Sequence, residues 1–173
     1  MATQWLIIGL FVVNLGLVWI LSLSKQFPAY RGLGSLLFLL LPLLMVFPSQ
    51  PRFELDYFWW IPAGFLAMAL GLILVVWSRV GLRGVVAKLG DVPKQLMTAG
   101  PYQYVRHPLY LGLMFVLVGW WWVWAAVYAF YFGMIILLLI WLEAYLEEKL
   151  VNEKNFNKAF KDYRQETGMF WIK

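Results

Sequence analysis

Residues 109–142 run for thirty-four positions without a charged side chain. A helix needs roughly 20 apolar residues to cross the hydrocarbon of a bilayer. The run is therefore too long for one ordinary span and just long enough for two short ones, with backbone hydrogen bonds satisfied internally as helices require in lipid. Trp120, Trp121, Trp122 and Trp124 mark the place for the turn between them, because tryptophan gathers where membrane meets water.

The remainder of the chain agrees with a membrane setting. Hydrophobic residues make up 63% and charged residues 13% of the 173 positions, against about a half and about a quarter in soluble proteins. The length suggests one domain. The chain has no cysteine, which excludes a disulfide framework, a thiolate metal site and a cysteine nucleophile. A single histidine rules out a multi-histidine metal centre, and no metal is expected. A net charge of +5 would suggest nucleic acid in a soluble protein. In a membrane protein clustered Lys and Arg record topology and attraction to anionic headgroups, so no nucleic-acid partner is expected.

Taken in order, residues 4–23 form an uncharged first span, read as retained because it lacks a basic leader and a small-residue cleavage site. Residues 33–47 form a short second span, kinked at Pro42. Residues 57–77 form the third, with Ala63, Ala67 and Gly71 as a small-residue stripe for helix packing. Residues 78–107 make a long basic loop, and a loop of that length in so small a protein is usually functional. Spans 108–122 and 125–142 follow. In the C-terminal segment 143–173, Leu146, Leu150, Phe156, Phe160 and Tyr163 are expected along one side of an amphipathic helix at the membrane surface. The expected fold class is all-α: a polytopic membrane protein with about five transmembrane helices and a C-terminal amphipathic cytoplasmic helix. With five spans, thirteen of the fourteen Lys and Arg residues fall on the side of the C-terminus and only Arg52 on the other. That places the long loop and the C-terminal segment together on the cytoplasmic face.

The richest chemistry lies where the basic loop meets the long apolar run. Gly100-Pro101-Tyr102 leads to Arg106-His107-Pro108, then Tyr110 and Gly112. His107 occupies a cap-like position and Pro108 the first helical position, where a missing N–H costs nothing. Tyr104, Arg106, His107 and Tyr110 crowd donors and aromatic faces beside exposed helix-end amides, which attract an anionic group such as a ligand carboxylate.

These residues resemble the signature of the membrane methyltransferases that include isoprenylcysteine carboxyl methyltransferase and the phospholipid methyltransferases. The family's second signature, a glutamate pair followed by spaced aromatics, is matched by Glu147-Glu148 and then Phe156, Phe160 and Tyr163. The resemblance covers residues 57–167 and implies a transferase using S-adenosylmethionine and a lipophilic acceptor, a membrane lipid or a small molecule, reached from the bilayer. It implies that Lys94, Gln95, Leu96 and Met97 hold one part of the cofactor, and Tyr102 with His107, Pro108, Leu109 and Tyr110 another. Glu147 or Glu148 would bind its ammonium. Cations or amides, a carboxylate and aromatic faces are what such a ligand requires. The sulfonium is already an excellent leaving group, so the protein's part is alignment and exclusion of water. Arg106 and Glu143 are the candidates near the acceptor.

The chain departs from the family pattern in three places. One more residue separates the glutamates from the first aromatic, so either glutamate can be the equivalent. Asn157 stands where a glycine commonly follows that aromatic. The carboxyl methyltransferases carry an arginine four or five residues before the glutamates, where this chain has Glu143 and Leu142. A carboxylate at that place repels an anionic acceptor and attracts an amine. The reading from another class is a non-catalytic assembly or transporter subunit. Transport argues for charges buried within spans, and none of the runs before Glu143 contains one.

Overall fold

The computed structural model describes Gly9 and residues 50–54, 57–83 and 95–173. The expected spans 4–23 (Gly9 apart) and 33–47, and Lys94, lie outside the described residues. Four helices carry the described fold: α1 Trp60–Gly81, α2 Pro108–Trp124, α3 Val127–Glu147 and α4 Glu153–Glu166. A single 3₁₀ turn, Gly100–Gln103, precedes α2, and a π-helical turn, Glu148–Asn152, joins α3 to α4. Among the described residues there is no β-strand. Two of the helices, α1 and α3, are long and apolar enough to cross a membrane. The third apolar helix, α2, has 17 residues.

Helices α1 and α2 run antiparallel and touch backbone to backbone. Gly64 faces Gly119, and Gly71 faces Gly112; a Cβ built on Gly71 would lie 2.6 Å from the Gly112 carbonyl oxygen. Small residues permit this approach, and close van der Waals packing is what associates helices in lipid. The contact therefore uses glycines seven residues apart, Gly64 with Gly71, and Ala63 and Ala67 are only half-buried beside it. Of the expected stripe through Ala63, Ala67 and Gly71, the seam keeps Gly71; four-residue steps drift round a helix of about 3.6 residues per turn, whereas the seven-residue step from Gly64 to Gly71 holds one face. At one end of the pair, Trp60 and Trp122 stack with ring centroids 3.9 Å apart.

The turn between α2 and α3 falls at Ala125 and Ala126, just past the tryptophans expected to hold it. Ala125 adopts the left-handed conformation (φ 49°) and Ala126 is extended. The turn is fixed from outside: Phe53 N–H donates to the Ala125 carbonyl at 2.8 Å and Val127 N–H to that of Pro51 at 3.1 Å. The Gln50 side chain accepts from Tyr128 and Ala129 N–H at 3.0 and 3.2 Å, capping α3 from across the chain. The tryptophans are also less interfacial than expected. Trp121 is buried with Leu117, Ala126, Ala129 and Ile136 in the α2–α3 core, where it lies on Gly133. Four tryptophans within five helical positions face nearly every direction, so some of them must point inward.

Helix α3 continues through Glu143 to Glu147 without a break. Leu146 is exposed, so the buried side of the terminal segment is made by Phe160 and Tyr163, with Phe156 half-buried. Asn157 (φ 41°, ψ −109°) kinks α4, in a region of backbone space that suits glycine and strains any other residue. Except for Arg52, the described basic residues all lie at or beyond the end of the bundle that carries the Arg106-His107-Pro108 sequence.

Candidate active site

The site is assembled at the start of α2. Gly100 (φ 63°) opens the 3₁₀ turn, which buries Pro101 and Tyr102. The chain then extends through Val105 and Arg106 to His107, the N-cap residue of α2, with Pro108 at the first helical position. The imidazole makes no cap hydrogen bond to the helix. It turns instead to the end of α3, where its Nε2 lies 3.1 Å from Glu148 Oε1.

Arg106 grips the same carboxylate with a fork. Its Nε donates to Glu148 Oε1 at 2.7 Å and its Nη2 to Oε2 at 3.2 Å. Its Nη1 donates to the carbonyl of Thr167 and, at 3.4 Å, to that of Arg164. The arginine and glutamate side chains are 7% and 2% exposed. A buried carboxylate survives only when its lone pairs are satisfied, and this one is. Burial alone would raise the Glu148 carboxyl; the hydrogen bonds from His107 and Arg106 and their charge outweigh it and hold Glu148 below its ordinary value. An ionised carboxylate only accepts, so His107 Nε2 carries a proton and donates it.

Glu147 points elsewhere. It is half-buried and its Oε2 accepts from the Tyr110 hydroxyl at 2.9 Å. The Tyr110 ring also stacks on His107, with centroids 5.5 Å apart and planes at 29°. Tyr102 is buried, and burial, the nearby Glu147 carboxylate and Tyr163 keep its hydroxyl protonated against the opposing pull of Arg79. Tyr163 reaches from α4 to donate to the Tyr102 carbonyl. Burial pushes the Tyr163 hydroxyl up to about 12 despite the Arg106 charge.

Of the residues singled out in the sequence, Tyr102, Arg106, His107, Tyr110, Glu147 and Glu148 thus converge on one end of the bundle. Pro108 and Leu109 form the first turn of α2 among them. Gln95, Leu96 and Met97 lie on the segment leading into the 3₁₀ turn, the first exposed and the others half-buried. Glu143 sits on α3 one turn before Glu147 and is half-buried. Sequence reasoning missed residues 167–170, which lie alongside the motif. Arg106 N–H donates to the Gly168 carbonyl at 2.9 Å and His107 N–H to that of Met169 at 3.2 Å. The available signal was Gly168, a helix-stop residue followed by Met169 and two aromatics.

A carboxylate clasped by arginine and histidine, a second carboxylate held by a tyrosine, and stacked aromatic rings stand together at the mouth of an apolar helix pair. Searches of the curated proteins and of the solved structures return no match to this chain. The family model described as phospholipid methyltransferase matches residues 59–159, from the start of α1 to the middle of α4, and takes in the first signature and, of the second, the glutamate pair and Phe156. That match spans more than half of the sequence, and the chain belongs to the phospholipid methyltransferase family.

Proposed function

We propose that the protein transfers a methyl group from S-adenosylmethionine to a lipophilic acceptor that reaches the site from the bilayer. The observation that carries this reading is the convergence of His107, Tyr110, Glu147 and Glu148 at the N-terminus of α2. The donor set fits the ligand. Aromatic faces at Tyr102, His107 and Tyr110 suit a sulfonium and an adenine ring, amides at the start of α2 suit a carboxylate, and a glutamate suits an ammonium. When bound, S-adenosylmethionine supplies an activated methyl group.

The chain's own residues divide the work. Glu148, with both oxygens held by Arg106 and His107, maintains the shape of the site; Arg106 is its counter-ion, and neither is turned to the acceptor. Glu147, aimed by the Tyr110 hydroxyl, is the glutamate assigned to the donor's ammonium. Gln95, Leu96 and Met97, with Lys94 before them, flank the donor on the other side. Glu143, one turn from Glu147 on α3, faces the acceptor and favours an amine-bearing headgroup or a neutral lipid over a prenylcysteine carboxylate. Five spans and a cytoplasmic site follow from the distribution of basic residues.

Calorimetry on the purified protein tests the donor site. His107→Ala and the Glu147→Ala/Glu148→Ala pair are each expected to weaken S-adenosylmethionine binding by about 1–3 kcal/mol. Unchanged affinity in both would contradict the assignment. Transfer of labelled methyl groups into lipid extracts then identifies the acceptor class.

A further inference from the structure

The segment after α4 does not trail into solvent. Residues 167–170 return to the motif and pair with it in a short parallel stretch, bridged at Val105 and Gly168. The Arg106 and His107 amides donate to Gly168 and Met169, and the Arg106 guanidinium donates to the Thr167 carbonyl. Thr167 and Met169 are buried, at 4% and 8% exposure. Lys173 secures the far end, its Nζ donating to the Arg164 and Gln165 carbonyls at 3.0 and 3.2 Å. All of this lies past residue 159, where the family match stops.

Phe170 is the side chain of this segment that faces the site. Its ring centroid is 6.0 Å from that of His107, with the planes at 47°. The imidazole is thus in contact with three groups: Tyr110, Phe170 and the Glu148 carboxylate. Aromatic neighbours restrict the plane of the histidine ring, and excluding water strengthens the bond between His107 and Glu148. Phe170 is half-buried, and its ring stands beside the imidazole. An aromatic ring at that position suits a sulfonium or an adenine ring.

We propose that residues 167–170 form a wall of the donor site and that Phe170 is a positioning residue, holding the His107 imidazole against Glu148 and lending its ring to the donor. This rests on the reading of the site as a place for S-adenosylmethionine. The full-length protein in nanodiscs tests both. Phe170→Ala is expected to raise the Kd for S-adenosylmethionine about tenfold, equivalent to about 1.4 kcal/mol, with the KM for the acceptor unchanged. Phe170→Tyr should restore binding, whereas Trp171→Ala and Ile172→Ala, at 62% and 73% exposed positions, should leave it as in the wild type. A photoreactive phenylalanine at 170 should take up label from radioactive S-adenosylmethionine, competed by excess S-adenosylhomocysteine, and the same group at 172 should not. The crosslink decides the matter even where the alanine variant does not fold. Wild-type protein that binds no donor overturns the site reading and this inference with it. Wild-type protein that binds donor, with no label at 170 and an unchanged Kd in Phe170→Ala, overturns this inference alone.

Discussion

Arg106 and Glu148, 42 residues apart, form two hydrogen bonds at 2.7 and 3.2 Å through one guanidinium edge. The pair ties the loop before α2 to the end of α3, and its second edge ties both to the chain after α4. Glu148→Gln keeps the volume and strands a buried guanidinium, at an expected cost of about 3–5 kcal/mol. Replacing both partners with apolar residues, Arg106→Met with Glu148→Leu, should recover much of that stability while abolishing donor binding. Thermal unfolding in detergent reads the first effect and calorimetry the second.

The same pair sets an acid limit. Glu148 is held below its ordinary value of 4.5, so the unfolded chain binds the extra proton first. The stability that this carboxylate contributes is complete above that value and is lost as pH falls below it. Tyr163, pushed up from 10.0 to about 12, sets the opposite limit: its contribution is complete below 10.0 and is lost as pH rises toward about 12. Unfolding midpoints across pH should therefore fall on both sides of that window, and Glu148→Gln should flatten the acid side only.

Asn157 occupies a backbone conformation (φ 41°, ψ −109°) that suits glycine. Asn157→Gly should raise stability by about 1 kcal/mol and leave donor affinity alone, since the side chain is exposed. A loss of stability would show that the kink is held by the asparagine side chain itself.

Glu143 tests acceptor choice. The wild type should methylate a prenylcysteine carboxylate poorly, and Glu143→Arg should raise activity on that carboxylate relative to an aminophospholipid, by removing a repulsion rather than adding a fit. A wild type that readily turns over prenylcysteine, with an unchanged preference in the variant, would reduce Glu143 to a charge at the end of a helix.

Topology is tested by reporter fusions. Reporters placed at Lys94 and Lys173 should appear on the same, cytoplasmic side, as the thirteen-to-one distribution of basic residues requires. Opposite sides would separate the loop from the C-terminal segment and dissolve the shared site.

Local chemistry was readable in the sequence where it acts locally. Pro108 after His107 announces a helix start whatever surrounds it, and the glutamate pair and the tyrosines are visible as residue types. What pairs with what was not visible. Arg106 finds Glu148 and Tyr110 finds Glu147 only because α2 and α3 return to the same end, and no residue spacing records that. The tryptophans marked the turn between α2 and α3 to within a residue or two, but its geometry at Ala125 was hidden for a related reason: it has no glycine, proline or polar residue, and it is fixed by Gln50, Pro51 and Phe53 from far along the chain. The segment at 167–170 escaped because a chain end reads as a tail until its carbonyls are seen to be taken.

The glycine seam between α1 and α2 has a mechanical consequence. At these glycines the facing backbone and the side chains of Met68, Val75, Phe115 and Val123 fill the space a Cβ would take, so neither helix can slide or roll without colliding with the other. The two behave as one stiff post. The rod that runs from α3 into α4 is instead interrupted by a π-helical turn and a kink at Asn157, so the start of α2, on which the site is built, belongs to the stiffer member.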